Sequence, residues 1–274
     1  MPIVSVIILL RWISIFLSVI FFTTIVLEKF MVDNQKLLCW LNRHRVTSLF
    51  VGILFLITAV PAYGEYKPKN RKAASGYSRG GGSRGCSGSS IPLTLIAPQT
   101  FVGKTASKRP MLAWYMSNSQ SVRFRLFEFE SAKKAKQIGE SKEVQATVGV
   151  NKLKLPQEYP ELTVGKKYLW QIASDCRNET IVRRAEFTVV NPPLAKQEFK
   201  TIPERVNYYA VNELWYEALE ESLKAVSDGK LSRIGANLVQ DLVSLETPVE
   251  AEENMEVNEK RIESLQKISG VPQV

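Results

Sequence analysis

From residue 91 to residue 190 apolar and polar positions mostly alternate, which is the period of strands with one buried face. The alternation predicts strands over 93–97, 111–116, 122–129, 144–150, 168–174 and 180–190, with Leu153-Lys154-Leu155 as a further short one. Within 122–129 the apolar face changes phase between Leu126 and Phe127, which predicts a bulge in that strand. So many short strands in about a hundred residues predict an antiparallel β-sandwich. After Pro192-Pro193 the period lengthens. Tyr209, Trp215, Ala218 and Ala225 stand at offsets resembling one tetratricopeptide hairpin over 202–226, with Glu213 where the turn glycine is usual and Ser222 where a large residue is usual. A third helix is expected over 232–245, after the stop signal Asp228-Gly229. The fold class is therefore α+β: a sandwich over 91–192, then a small helical hairpin and third helix over 193–245. One hairpin cannot bury its own apolar face, so the helices must dock on the sandwich or on a partner.

The sharpest local pattern is Leu162-x-x-Gly165-x-x-Tyr168-x-Trp170-x-Ile172. A leucine, a turn glycine and a tyrosine opening an alternating strand resemble the tyrosine corner of fibronectin type III and immunoglobulin-like domains. There the ring packs inward and the hydroxyl returns to upstream backbone. Tyr168, Trp170 and Trp114 are accordingly read as structural, and Tyr209 and Trp215 as the residues with which the helices cover the sandwich.

Two apolar stretches precede all this, residues 3–27 and 46–60. The second, 15 residues long, is short for a membrane span. It follows Lys36, Arg43, His44 and Arg45 and ends in Pro61-Ala62-Tyr63-Gly64, with small residues at the −3 and −1 positions of a cut before Glu65. A basic region, an apolar region and a small-x-small site form a secretory signal. Residues 31–64 are read as that signal, starting at Met31, and residues 1–30 as an upstream extension or a membrane segment. In the membrane reading, translation starts at Met1 and the N-terminus anchors the protein in the inner membrane. Both readings export residues 65 onward, to the periplasm or beyond.

Charge adds a constraint. Of 36 Lys and Arg against 27 Asp and Glu, five against two lie in residues 1–64 and six against one in 65–85, which leaves 25 against 24 for the rest. A nearly neutral folded part argues against a nucleic-acid partner. The basic Gly/Ser-rich stretch 65–90 reads as a flexible linker, with weak contact to an anionic membrane surface as the alternative to plain solvation. From residue 246 to 274 the chain carries seven Glu against Lys260, Arg261 and Lys267. It reads as a largely disordered acidic tail with a short helix around 258–268. Once the signal is removed, Cys86 and Cys176 remain, and in an exported protein such a pair is expected to be bridged.

Candidate chemistry is sparse. Gly103-Lys104-Thr105 ends like a phosphate-binding loop, but Pro98 stands where an earlier glycine is needed and a strand rather than a helix follows. His44, the only histidine, lies in the signal, so the mature chain has no histidine for a Ser-His-Asp triad, a Cys-His pair or histidine-ligated zinc. No metal, cofactor or catalytic residue is assigned. Glu217, Glu220 and Glu221 read as a solvated helix face.

Gly85-Cys86 before the first strand, Arg109-Pro110 leading into an aromatic strand, Gly165-x-x-Tyr168-x-Trp170 running to Cys176, and Leu214-Trp215-Tyr216-Glu217-Ala218-Leu219 occur in that order. Together, over roughly residues 84–245, they resemble the cyanobacterial domain of unknown function 928 family. The resemblance implies an exported cyanobacterial protein and brings no established activity. The leading expectation is a non-catalytic envelope module that binds a protein or a polymer. A histidine-free hydrolase using two carboxylates and a structural or anchoring envelope component are the alternatives.

Overall fold

The structure is a computed structural model that describes residues 65–78, 91–132, 134–176, 179–193, 198–226, 229–246 and 252–270. The extension and signal expected over 1–64, and Cys86, lie outside the described residues.

Two sheets carry the strands. One has the order β1-β3-β6, built from β1 (Thr94–Leu95), β3 (Met111–Met116) and β6 (Gly149–Lys154), all antiparallel. The other has the order β2-β8-β7-β4-β5, from β2 (Gly103–Thr105), β8 (Glu179–Val189), β7 (Lys167–Cys176), β4 (Gln120–Ser131) and β5 (Lys134–Ala146). Its pairs are antiparallel except β2 on β8. Phe124, Leu126, Trp170, Ile172, Ala185 and Phe187 of the larger sheet share one buried cluster with Leu112, Trp114 and Met116 of β3.

Two strand expectations are corrected, and one strand is new. The run 144–150 is two strand ends, because the chain leaves β5 at Ala146 and enters β6 at Gly149. Alternation continues through the turn only by composition: Val148 is 56% exposed. Gly149 has φ +101°, and a Cβ there would sit 2.2 Å from the Gly229 carbonyl oxygen, so the turn needs glycine. The bulge belongs to β5 and not to β4. Between the pairs Phe124–Lys142 and Leu126–Ile138 the extra residues stand on β5, around Gly139 at φ +68°. Phe127 and Phe129 do not shift phase but lie on the outer face, where Tyr77 meets the Phe129 ring at 5.8 Å and the Lys167 ammonium sits 3.8 Å from its centroid. Finally, β2 carries no alternation and was not expected as a strand; its parallel pairing with β8 defines it.

The helices are α1 (Ile202–Val211), α2 (Trp215–Ser222), α3 (Arg233–Leu245) and α4 (Glu252–Ser269). Thr201 caps α1 by accepting from the Glu204 N–H, and Ser232 caps α3 by accepting from the Gly235 N–H. The helix α2 packs on the sheets. The Trp215 indole donates to the Ile96 carbonyl at 3.1 Å, and the Trp170 indole donates to the Tyr216 hydroxyl at 3.2 Å. Segments 91–192 and 193–245 are thus parts of one compact unit, Tyr63–Val274.

Two segments read as disordered are corrected. Residues 65–78, the first half of the expected linker, form a strap: Tyr66 is buried, the Val102 N–H donates to the Lys72 carbonyl, and the Ala74 N–H donates to the Thr100 carbonyl. On the outer face of β8 the buried Glu186 accepts from the Ser75 N–H and from Lys167, both at 3.0 Å. Residues 252–269 of the acidic tail form α4, longer than the short helix expected around 258–268, with Leu265 and Ile268 buried. Its Arg261 donates to the Ala97 carbonyl and to Glu246, which also accepts from the Gln99 and Thr100 N–H groups. Two of the glutamates that suggested disorder pair along the helix, Glu256 with Lys260 and Glu263 with Lys267.

Candidate functional site

The Tyr168 ring is buried against Phe187, and its hydroxyl accepts from the Thr163 N–H at 2.9 Å, with Gly165 at φ +84° in the turn between them. Trp114, Trp170 and Trp215 are fully buried, and the Trp114 indole N–H meets no acceptor. Tyr209 is half-buried on α1, its ring 5.4 Å from Tyr208 and 6.3 Å from Phe199. Cys176 ends β7, packed against the core; its expected partner Cys86 lies outside the described residues.

Two places combine buried polar atoms without a partner with carboxylates whose pKa is shifted. The first is the seam between α2 and β2. Its turn is made by Glu213 at φ +63°, in the left-handed region that glycine favours. The Glu213 carboxylate offsets that cost by accepting from the Lys69 N–H of the strap at 2.9 Å and from Lys104 of β2. Burial pushes its pKa up, but Lys104 and the Lys69 N–H outweigh burial and hold it below the ordinary value. Four residues on, one oxygen of Glu217 accepts from the Thr105 hydroxyl at 2.6 Å and from the Ala106 and Ser107 N–H groups at 2.8 Å. The other oxygen is buried without a donor, and desolvation raises the pKa despite those bonds.

The solvated face expected for Glu217, Glu220 and Glu221 is therefore corrected. Glu221 is buried between Lys224 and Arg205, and Glu220 pairs with Lys154 at 2.7 Å. The loop after Gly103-Lys104-Thr105 does present backbone amides to an anion. The group they meet is the chain's own Glu217 carboxyl.

The second place is a groove of about 330 Å³ between α1 and α3, lined by Glu65, Val206, Asn207, Ile234, Asn237, Leu238, Gln240 and Asp241. Val206 and Leu238 form an apolar floor, while Asn237 and Gln240 stand exposed at the rim. The polar lining is carboxylates and amides, with no basic side chain among it. The Asn207 side-chain oxygen is buried without a donor. Asp241 accepts from the Tyr66 N–H at 2.9 Å; burial, then Glu65, raise its pKa, and the Tyr66 N–H and Lys67 oppose them.

Sequence reasoning missed this groove because its residues come from the strap and two helices. Asn207 and Asp241 sit 34 positions apart in ordinary helical contexts, with no local motif. At the seam the sequence marked Glu213, by standing where a turn glycine is usual, and Gly103-Lys104-Thr105 and Glu217 for other reasons, but not that they meet. Among the described residues, no group of three or more His, Cys, Asp or Glu is arranged to hold a metal ion.

No curated protein and no solved structure matches the chain. A family model, Domain of Unknown Function (DUF928), matches residues 79–252, more than half of the chain and everything from β1 to α3. The strap and nearly all of α4 fall outside the match. On the strength of that match the chain belongs to the DUF928 family.

Proposed function

We propose that this chain is an exported, non-catalytic interaction module of the cell envelope, in which a β-sandwich of the fibronectin III or immunoglobulin-like type supports a binding groove between α1 and α3. The observation that carries the reading is the groove itself, an apolar floor with an amide-rich rim and an unmatched buried acceptor, the usual composition of a recognition site. Support for the sandwich type comes from the sheet orders β1-β3-β6 and β8-β7-β4-β5, and from a tyrosine hydroxyl returning to backbone five residues upstream. Support for export comes from the basic, apolar and small-residue order that ends at Gly64. A bridge between Cys86 and Cys176 belongs to the same proposal, and non-reduced peptide mapping should yield that one linked pair.

The test places a photo-crosslinking residue at Asn237 and, as a control, at Val211, which is 63% exposed on the end of α1. Crosslinking in the native envelope should yield one dominant adduct from position 237 that is lost when Gln240 is replaced by Arg. Adducts that are equal from both positions would remove the groove from the reading. The same protein should show no turnover on esters, phosphoesters, peptides or glycosides. Turnover abolished by neutralising one carboxylate would put the hydrolase in its place.

A further inference from the structure

The groove's acidic mouth stands next to the residue at which the signal would be cut. Glu65 lines the groove, and the N–H of the next residue, Tyr66, is held 2.9 Å from an Asp241 oxygen. Tyr66 itself is buried, its ring 5.0 Å from Trp215, so this end of the strap is fixed in place. One residue back along the chain, the Glu65 nitrogen lies at most about 3.6 Å from the Tyr66 nitrogen. That keeps it within reach of the same carboxylate. As long as a residue precedes Glu65, that nitrogen is a neutral amide. Cleavage of the Gly64–Glu65 peptide bond by water leaves a carboxylate on Gly64 and an α-ammonium on Glu65.

We propose that this new ammonium pairs with Asp241, so that removal of the signal fastens the strap and finishes the groove. The inference rests on the export reading above. Charge favours the pairing, because Asp241 and Glu65 are the ionisable groups of the lining and both are acidic. Lys67, the cation that acts on Asp241, is paired with the Glu65 side chain at 2.5 Å, and both are exposed. Burial of Asp241 beside another acid disfavours its charge, and an ammonium within about 4–6 Å would reverse that. The pair would also supply donors to a groove whose Asn207 oxygen now has none.

The experiment begins with N-terminal sequencing of the protein processed in its native host. A mature chain starting at Glu65 supports cleavage after Gly64; any other start overturns this inference but not export, because an uncut N-terminal membrane segment would also export residues 65 onward. The processed protein is then compared with a chain that retains Tyr63 and Gly64 ahead of Glu65, each with and without Asp241→Asn, which keeps an oxygen for the Tyr66 N–H. In the processed protein the α-ammonium should be about tenfold weaker as an acid than an ordinary chain terminus. Asp241→Asn should abolish that difference, and it should lower the melting temperature of the processed protein more than that of the extended one. Equal effects of Asp241→Asn on the two chains, with an unshifted α-ammonium, would overturn the inference while leaving export intact.

Discussion

The two edges of the larger sheet are closed in opposite ways. At one edge β2 is three residues long and covered: Glu213 of the α1–α2 turn and Tyr216 and Glu217 of α2 reach it, while Trp215 bonds the chain just after β1, and the strap lies along the chain leading into β2. At the other edge β5 runs for 13 residues, mostly exposed, carrying Lys134, Lys136 and Lys142 and a bulge at Gly139. An open strand edge invites pairing with another chain, and burial and charge are two remedies. The covered edge ties stability to the helices. The charged edge contributes solubility and little packing, so the same kind of substitution should have very different consequences at the two.

The largest effect is expected from Trp215→Ala. It removes a fully buried ring, opens a cavity beside Tyr66 and leaves the Ile96 carbonyl without its donor. Buried Trp-to-Ala changes cost about 3–5 kcal/mol. Denaturant unfolding should show a loss of that size, and the covered edge should then exchange its amide hydrogens faster than β5 relative to the parent. A loss under about 1 kcal/mol would mean that α2 is an independent element, and the contrast between the edges would fail.

That contrast was only half legible in the sequence. Period-two patterning located β3, β4, β7 and β8 because each has one face in the common core. It passed over β2, whose Gly-Lys-Thr is defined by its neighbours, and over most of β5, whose exposed face and edge leave few positions that must be apolar. The tyrosine motif was legible because it is local: Leu162, Gly165 and Tyr168 span one turn. The seam and the groove were not, since Glu217 meets residues more than 100 positions away and Asp241 meets Tyr66 at a separation of 175. Composition misled at both ends. The basic residues 65–78 and the Glu-rich tail look unstructured until partners such as Glu186, Glu213 and Glu246 are seen to accept their backbone or side-chain donors.

Gly139→Ala probes the charged edge where geometry, not charge, constrains it. At φ +68° a Cβ would lie 2.6 Å from the Tyr159 ring, whose hydroxyl is bonded to the Glu140 carbonyl. A left-handed non-glycine residue costs about 1–2 kcal/mol, and Tyr159 must also shift. The expected loss is therefore about 2 kcal/mol or more by the same unfolding assay. A neutral result would show that the bulge relaxes freely.

At the covered edge the two glutamates give opposite pH signatures. Glu213, with its pKa lowered, contributes stability above the ordinary carboxylate value, and that contribution is lost as pH falls through its folded pKa. Glu217, with its pKa raised above 4.5, contributes stability that is fully present below that value and is lost as pH rises through its folded pKa. Glu217→Gln keeps one oxygen for Thr105, Ala106 and Ser107 but cannot ionise. Relative to the parent, this variant should gain melting temperature between pH 4 and 7. A constant difference across that range would mean that Glu217 does not titrate there.

The smallest effect is expected from Lys136→Thr on β5. Lys136 is exposed and faces Glu128 across the β4–β5 pair, so its removal orphans no buried group. Surface substitutions of this kind stay within about 0.5 kcal/mol, or roughly 2 °C in a domain of this size. The consequence should appear in association instead. With one lysine gone, the open edge loses charge repulsion against a second copy. Light scattering at rising concentration should then show self-association in Lys136→Thr, stronger at high salt, where the remaining lysines are screened. A melting loss comparable to that of Trp215→Ala would make β5 a packed strand like β2, and the two edges would no longer differ in kind.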